Sequence, residues 1–376
     1  MKKTLNIAMI GGGFMGRAHS NAWMKVTKFF DLPYDVNLKV VAGDKNRLEK
    51  FADNWGFEEV SYDWRETVKR DDIDIVDIVT PTYMHAQMAI EAAKNGKHII
   101  CEKPCALTHD ECMEMAKAAK EAGVVSYLNH NYRRVPAVAF AKQLVEDGRL
   151  GDILSWHGQY FQDWLLNPDM PCGWQMQNEY AGGGALYDLG SHSVDLARFL
   201  VGEPVSVTSL HRTFIEERPL PNKEGKGVVD VDDAAYMLLE FEGKTVGSIE
   251  VSRFACGNKN ANSFAVYGTK GAIRFQFQRM NELEFLDYTQ PVSEQGYRTI
   301  LCTEYDHPYL KAWWPSGHII GFEHTFVNAF ADVFSAIHDG AEITPNFEDG
   351  ASIIRVLEAS KKSAKENRRV FVNEII

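Results

Sequence analysis

No stretch of this 376-residue chain approaches the roughly 18 consecutive apolar residues that a membrane-spanning helix needs. A membrane protein is therefore not expected. Clustered positive charge is missing as well. Lysine and arginine total 40 against 52 acids, a formal charge of −12, and Lys361-Lys362 and Arg368-Arg369 are parted by Glu366. A phosphate backbone would be repelled, which excludes a nucleic-acid partner. The six cysteines include no CxxC pair, so a disulfide framework is not expected. Cys101 and Cys105 have no further ligands near them in sequence, which argues against a metal site. A secretory leader finds little support, because the apolar start is broken by Asn6 and runs straight into glycines. Reduced thiols and the lack of a leader point to the cytoplasm. Internal repeats and low-complexity segments are absent too.

What is present is a change of rhythm near residue 130. Before it, Val/Ile-rich runs alternate with helical patterns: strands over 5–10, 38–42, 73–80, 98–101 and 124–127, helices over 15–28, 46–55, 63–70, 83–95 and 108–122. Such alternation implies a parallel sheet covered by helices on both faces. Thr108 followed by Glu111 has the spacing of a capping box. Beyond it, a helix over 136–147 is followed by strand patterns at 153–164, 205–213, 234–241, 245–254, 263–267 and 273–278. Short turns between several of them predict hairpins and an antiparallel sheet. Helices are expected at 184–201, 321–338 and 351–366, and a surface loop at 216–230. The fold class is α/β, with an amino-terminal Rossmann domain over 1–128. An α+β domain with an antiparallel sheet follows over 129–376.

Gly11, Gly13 and Gly16 form GxGxxG between the first strand and the first helix. In that position the first glycine permits a tight turn, the second lets backbone approach a pyrophosphate, and the third lets helix and strand pack closely. The helix start, with Phe14 and Met15, offers N–H groups and a positive dipole end to phosphates. A glycine turn without a ligand is the competing reading. Asp44 ends the second strand, where an acid binds the ribose hydroxyls of NAD and repels the extra phosphate of NADP. Its spacing from Gly16 exceeds the usual 20 or so residues, and an extra loop at 29–37 accounts for the excess. Lys45 and Arg47 would soften the discrimination. NAD is the favoured cofactor, and Asp44 as a plain solvated turn residue stays open.

Two further features carry chemistry. Cys101-Glu102-Lys103-Pro104 follows a parallel strand, whose carboxyl end borders a ligand crevice and would place Lys103 beside the nicotinamide. Glu102 would anchor the loop and Pro104 stiffen it, with a cis bond possible. The second feature is Gly182-Gly183-Gly184-Ala185-Leu186-Tyr187-Asp188-Leu189-Gly190-Ser191-His192. Asp188 and His192, four apart, share one helical face, and the glycines would let substrate or cofactor approach the backbone. Histidine titrates where a general base for a hydroxyl proton must. An ion pair serving stability alone is the competing reading.

With GGGFMG, CEKP, GGGALYDLGSHSVDLARFL and Phe347-Glu348-Asp349-Gly350, the whole chain resembles the glucose–fructose oxidoreductase/inositol dehydrogenase/rhizopine-catabolism (Gfo/Idh/MocA) family. The resemblance implies an NAD(P)-dependent oxidoreductase acting on CH–OH groups, with a Rossmann domain and a second domain whose open, predominantly antiparallel sheet builds homodimers or homotetramers. It implies that His192 is general base in oxidation, that Lys103 holds and polarises the reacting oxygen, and that Asp188 orients a hydroxyl. It also places Thr80, Pro81, His85 and Glu102 by the cofactor.

Within the family the levoglucosan dehydrogenase and glycoside 3-dehydrogenase branch is most similar. This rests on Tyr160-Phe161-Gln162-Asp163-Trp164, Asn131-Tyr132-Arg133-Arg134 and Trp313-Trp314-Pro315-Ser316-Gly317-His318. The implied substrate is a sugar, anhydrosugar, glycoside (at C3) or inositol, whose apolar face suits aromatic rings and whose hydroxyls suit Gln, Asp and His. Candidate contacts are Lys103, Tyr132, Gln162, Asp163, Trp164, Gln175, Asp188, His192 and His318; packing is the alternative for the aromatic ones. The branch pattern has Trp-Arg where this chain has Trp174-Gln175. Two rivals differ in class. One enzyme retains NAD and oxidises a glycoside transiently for epimerisation or cleavage. The other protein is a non-catalytic dinucleotide sensor.

Overall fold

A computed structural model describes residues 2–44, 48–221 and 224–375. Two compact units emerge, neither continuous in sequence.

The first unit comprises Met1–Asn131 and Gly321–Ser352. Its strands are β1 (Lys3–Ile10), β2 (Tyr34–Ala42), β3 (Glu59–Ser61), β4 (Ile75–Ile78), β5 (His98–Cys101) and β6 (Ser126–Leu128). They pair in parallel in the order β3-β2-β1-β4-β5-β6, the doubly wound arrangement whose strand order reverses beside β1. Ile7–Ile10 and Ile75–Ile78 are buried throughout, as strands covered on both faces must be. The helix His109–Ala122 opens with the expected capping box: Thr108 accepts from the Glu111 amide, and Glu111 accepts from the Thr108 amide. The loop expected at 29–37 is shorter than that. Helix Phe14–Phe29 and strand β2, which starts at Tyr34, take up most of it, so the added length before Asp44 is regular structure.

Helix Phe322–Asp339 returns to this unit from far along the chain. Its Phe330 and Phe334 rings lie 4.3 and 5.8 Å from Trp23 on the first helix. Burial of each such ring contributes about 1.5–3 kcal/mol, enough to hold a distant segment in place.

The second unit comprises Tyr132–Ile320 and Ile353–Ile376. Its strands are β7 (Ile153–Phe161), β8 (Pro204–Arg212), β9 (Glu217–Pro219), β10 (Lys226–Val228), β11 (Ala234–Phe241), β12 (Val246–Ser252), β13 (Ala261–Gly268), β14 (Gly271–Gln276), β15 (Glu282–Asp287), β16 (Arg298–Leu301) and β17 (Val370–Phe371). Nine form one sheet in the order β16-β15-β14-β13-β7-β12-β11-β8-β17. All neighbours are antiparallel except β7 and β12. The sheet is thus open and predominantly antiparallel. Helical residues 186–200 pack against β7 and β12. Leu210, Tyr236, Leu238 and Val246 remain exposed; on paired strands their side chains project from the same face.

Residues 216–230 are not the plain surface loop expected. Strands β9 and β10 pair there, and Arg218, 1% exposed, donates to the carbonyls of Leu165 and Asn167. Behind the ribbon lies a small core of Leu165, Cys172, Met176, Val229 and Val231. Polar composition masks such a ribbon, because its buried cation is satisfied by backbone rather than by an acid.

Candidate active site

Each unit carries its own set of groups. In the first, β1 delivers the chain into the glycine loop. Gly11 has φ +114°, and a Cβ there would meet the Val79 carbonyl oxygen at 2.7 Å. Only glycine fits. Gly16 sits against the Gly11 carbonyl, where a Cβ would come within 3.0 Å of it. A Cβ on Gly13 would meet nothing within 4 Å, so a phosphate can come up to its backbone. Gly13 caps helix Phe14–Phe29 without a side-chain hydrogen bond, and no acid lies in the first turn. The helix start therefore keeps its N–H groups and positive end for an anion. Phe14 is exposed and stacks on Phe322 with centroids 6.4 Å apart, and Met15 is half-buried beside it. Asp44 is exposed just past the end of β2. These features fit a dinucleotide. Lys45 and Arg47 lie outside the described residues.

Thr80 and Pro81 are half-buried after β4. His85 does not offer its ring to a ligand: it is fully buried, with Nδ1 2.9 Å from the Pro104 carbonyl and Nε2 2.9 Å from that of Thr80. Burial pushes its pKa down. It ties the loop after β4 to the loop after β5. Glu102 is likewise internal, 4% exposed, and accepts from His19 at 2.8 Å and Asn129 at 2.6 Å. A direct cofactor contact expected of either side chain gives way to an anchoring one, because neither reaches the surface. Lys103 is half-buried, and its bond to Pro104 is cis.

In the second unit, Asp188 lies in a π-turn, Leu186–Gly190, that leads directly into helix Ser191–Leu200. Such turns widen the helix and often mark functional sites. His192 is 5% exposed. Its ring stacks on Tyr132, centroids 4.4 Å apart, and meets Tyr160 edge-on at 5.7 Å. The Tyr132 and Tyr160 hydroxyls are 2.9 Å apart, Tyr160 donates to Asn260 Oδ1 at 2.6 Å, and Asn260 Nδ2 faces the Tyr132 hydroxyl at 3.4 Å. Each group in this triangle can give one proton and accept one. Gln162 Nε2 adds a bond to Asn260 Oδ1 at 2.9 Å. Burial, with help from Tyr132 and the Asp188 carboxylate, pushes the Tyr160 hydroxyl pKa up, so it stays a proton-bearing donor.

The structure thus gathers Tyr132, Gln162, Asp188 and His192, with Tyr160 and Asn260 in addition. Asn260 was not foreseen, since a lone asparagine in a turn carries no signal. The other candidates have neighbours of their own. Asp163 pairs with Lys259 at 2.8 Å and accepts from the Gly257 amide. Trp164 lies under the Arg253 guanidinium and against the small core. The Gln175 carbonyl accepts from Arg253, and exposed His318 has Nδ1 2.8 Å from the Pro315 carbonyl. The glycines before Asp188 serve packing instead of ligand approach. A Cβ on Gly184 would fall 1.7 Å from the Asp232 carbonyl oxygen. The Asp232 carboxylate accepts from the Gly184 and Leu186 amides, capping the turn.

Comparison with known proteins gives the family. Residues 5–130 match the oxidoreductase family's NAD-binding Rossmann fold, and residues 138–274 match the GFO/IDH/MocA C-terminal domain. The chain is 40% identical to levoglucosan dehydrogenase of Pseudarthrobacter phenanthrenivorans over 99% of both chains. This chain belongs to the Gfo/Idh/MocA oxidoreductase family. It is also 30% identical to the NAD(+) scyllo-inositol 2-dehydrogenase of Bacillus subtilis, over 73% of this chain and 74% of that one. A levoglucosan dehydrogenase in complex with NADH and levoglucosan superimposes with a TM-score of 0.95 at 41% identity, covering 98% of this chain and all of that one. The chain is therefore an oxidoreductase with an NAD-binding domain. No helix among the described residues is long and apolar enough to cross a membrane.

Proposed function

We propose that this protein is an NAD-dependent dehydrogenase that oxidises a secondary hydroxyl of a sugar-like polyol to a ketone, with an anhydrosugar of the levoglucosan type as the favoured substrate. When bound, the nicotinamide accepts the hydride. His192 takes the hydroxyl proton, Lys103 holds the reacting oxygen and stabilises its negative charge, and Asp188 orients a hydroxyl. Tyr132 and Tyr160 fix the His192 ring and shield it from water. Gln162 and Asn260 supply polar groups at the edge of that cluster.

The observation that carries this reading is the buried His192 ring, stacked on Tyr132 and placed one turn beyond Asp188. A sensor would have no need of a shielded proton acceptor. The first unit is assigned the cofactor and the second the proton acceptor and substrate polar groups. Six free thiols, five of them buried, suit a cytoplasmic setting, and the exposed Leu210, Tyr236, Leu238 and Val246 suit a homodimer or homotetramer built on the second sheet.

The test is NADH formation from NAD with levoglucosan, inositols, hexoses and alkyl glucosides. Levoglucosan should give the highest kcat/KM. Lys103→Ala and His192→Ala should each lower kcat at least about 100-fold while NAD binding survives. Turnover without net NADH would favour transient oxidation instead.

A further inference from the structure

The first unit buries a set of charges that the reading above does not use. His19, on the helix that starts at the glycine loop, is fully buried. Its Nδ1 is 2.8 Å from Asp77 Oδ1 on β4, and its Nε2 is 2.8 Å from Glu102 Oε1 at the end of β5. Trp23 Nε1 donates to the second Asp77 oxygen at 2.7 Å, and Asn129 Nδ2 donates to Glu102 Oε1 at 2.6 Å. The rings of Phe326 and Phe330 stand 5.4 and 5.2 Å from the imidazole.

We propose that His19 is a positioning residue for the reaction. It acts as a buried imidazolium clamped between Asp77 and Glu102, tying the glycine-loop helix to the backbone that carries Lys103. A neutral imidazole donates from one nitrogen only and would turn a lone pair on the other carboxylate. Each ring nitrogen faces a carboxylate oxygen at 2.8 Å, with Asn129 Nδ2 a further 3.0 Å neighbour of Nε2, and only the doubly protonated ring donates to both carboxylates. Burial alone would push the pKa down, but the two carboxylates outweigh it and lift it to about 10. Glu102 in turn is held below its ordinary value, against burial, by His19, Asn129 and the Lys103 charge.

The charges alternate along the chain of contacts: Asp77 negative, His19 positive, Glu102 negative, Lys103 positive. The Glu102 carboxylate receives the Lys103 amide at 3.2 Å through its other oxygen, and the Glu102 amide donates to the Ile78 carbonyl at 2.9 Å. The residue before Lys103 is therefore fixed through both its backbone and its side chain. A buried ion pair seldom adds much net stability over an apolar replacement. Its worth here lies in geometry, because a misplacement of about 1 Å in a reacting group can cost on the order of 100-fold in rate.

The proposal rests on the reading that Lys103 holds the reacting oxygen, and its test separates the two. In His19→Gln, kcat for polyol oxidation should fall at least about 10-fold while substrate KM and NAD affinity stay within about threefold. A kcat within about twofold of the parent, or a parallel loss of NAD affinity, overturns it. Asn129→Ala, which removes one donor to Glu102 and leaves the charges, should lower kcat at least about threefold at unchanged KM; it serves if the His19 variant does not fold. Nitrogen-15 spectra of the parent protein should show both His19 nitrogens protonated at about pH 8. A neutral ring there overturns the proposal whatever the substrate proves to be, whereas a parent that reduces no NAD with any polyol defeats the dehydrogenase reading.

Discussion

The His192 imidazole lies nearly flat on the Tyr132 ring, the planes 20° from parallel and the centroids 4.4 Å apart. On Tyr132 itself the Phe277 ring also packs at 4.4 Å, so the tyrosine is a wedge that sets the histidine's plane. Tyr132→Phe keeps the stack and removes one corner of the hydroxyl triangle. It should cost less than about tenfold in kcat, whereas Tyr132→Ala should cost about 100-fold. Equal losses in steady-state kinetics would mean that the hydroxyl, not the stack, is what matters.

Gly184 cannot accept a side chain, because the Asp232 carbonyl oxygen occupies the Cβ position at 1.7 Å. Backbone cannot give way as a flexible side chain can. Gly184→Ala should destabilise the protein by about 3 kcal/mol or more, seen as a lowered denaturant midpoint. A change below about 1 kcal/mol would refute that view of the turn.

Asp44, exposed at the end of β2, is assigned the ribose hydroxyls. Replacing it with serine removes a charge that repels a 2′-phosphate. The ratio of kcat/KM for NADP to that for NAD should rise about tenfold, equivalent to about 1.4 kcal/mol. An unchanged ratio would leave Asp44 a turn residue.

The clamp around His19 also makes stability depend on pH. Its folded pKa is raised to about 10, so its contribution is full below the ordinary histidine value of about 6.5 and is lost as pH rises through about 10. Glu102 has the opposite sign: its pKa is lowered on folding, so its contribution is lost in acid. The melting temperature should therefore fall steadily between about pH 7 and pH 10. Differential scanning calorimetry measures this directly, and a flat profile across that window would contradict a charged His19.

Much of the first unit's set of groups could be read along the chain. The strand–GxGxxG–helix order needs only local rules: Gly11 takes the turn and Gly16 the close approach that their spacing suggests, and Gly13 has open space where a Cβ would stand. The Thr108–Glu111 box is local too. His19 escaped notice because its partners, Asp77 and Glu102, lie 58 and 83 residues away. Helical spacing predicted one face for Asp188 and His192, but it could not foresee the π-turn or the Tyr132–Tyr160–Asn260 triangle. Residue type marked Asp163 and Trp164 as sugar contacts, but it could not show that Asp163 pairs with Lys259 or that Trp164 lies under Arg253. Residue type does not say which partner arrives first.

The parallel βαβ unit, the antiparallel sheet and the anion-ready helix start are legible along the chain, because periodicity, glycine spacing and caps act over a few residues. Folding in three dimensions is what brings helix Phe322–Asp339 to the first unit, sets Gly184 against Asp232, and turns Glu102 and His85 inward. Those outcomes depend on which distant surfaces bury each other, and on buried polar groups needing partners wherever the fold supplies them.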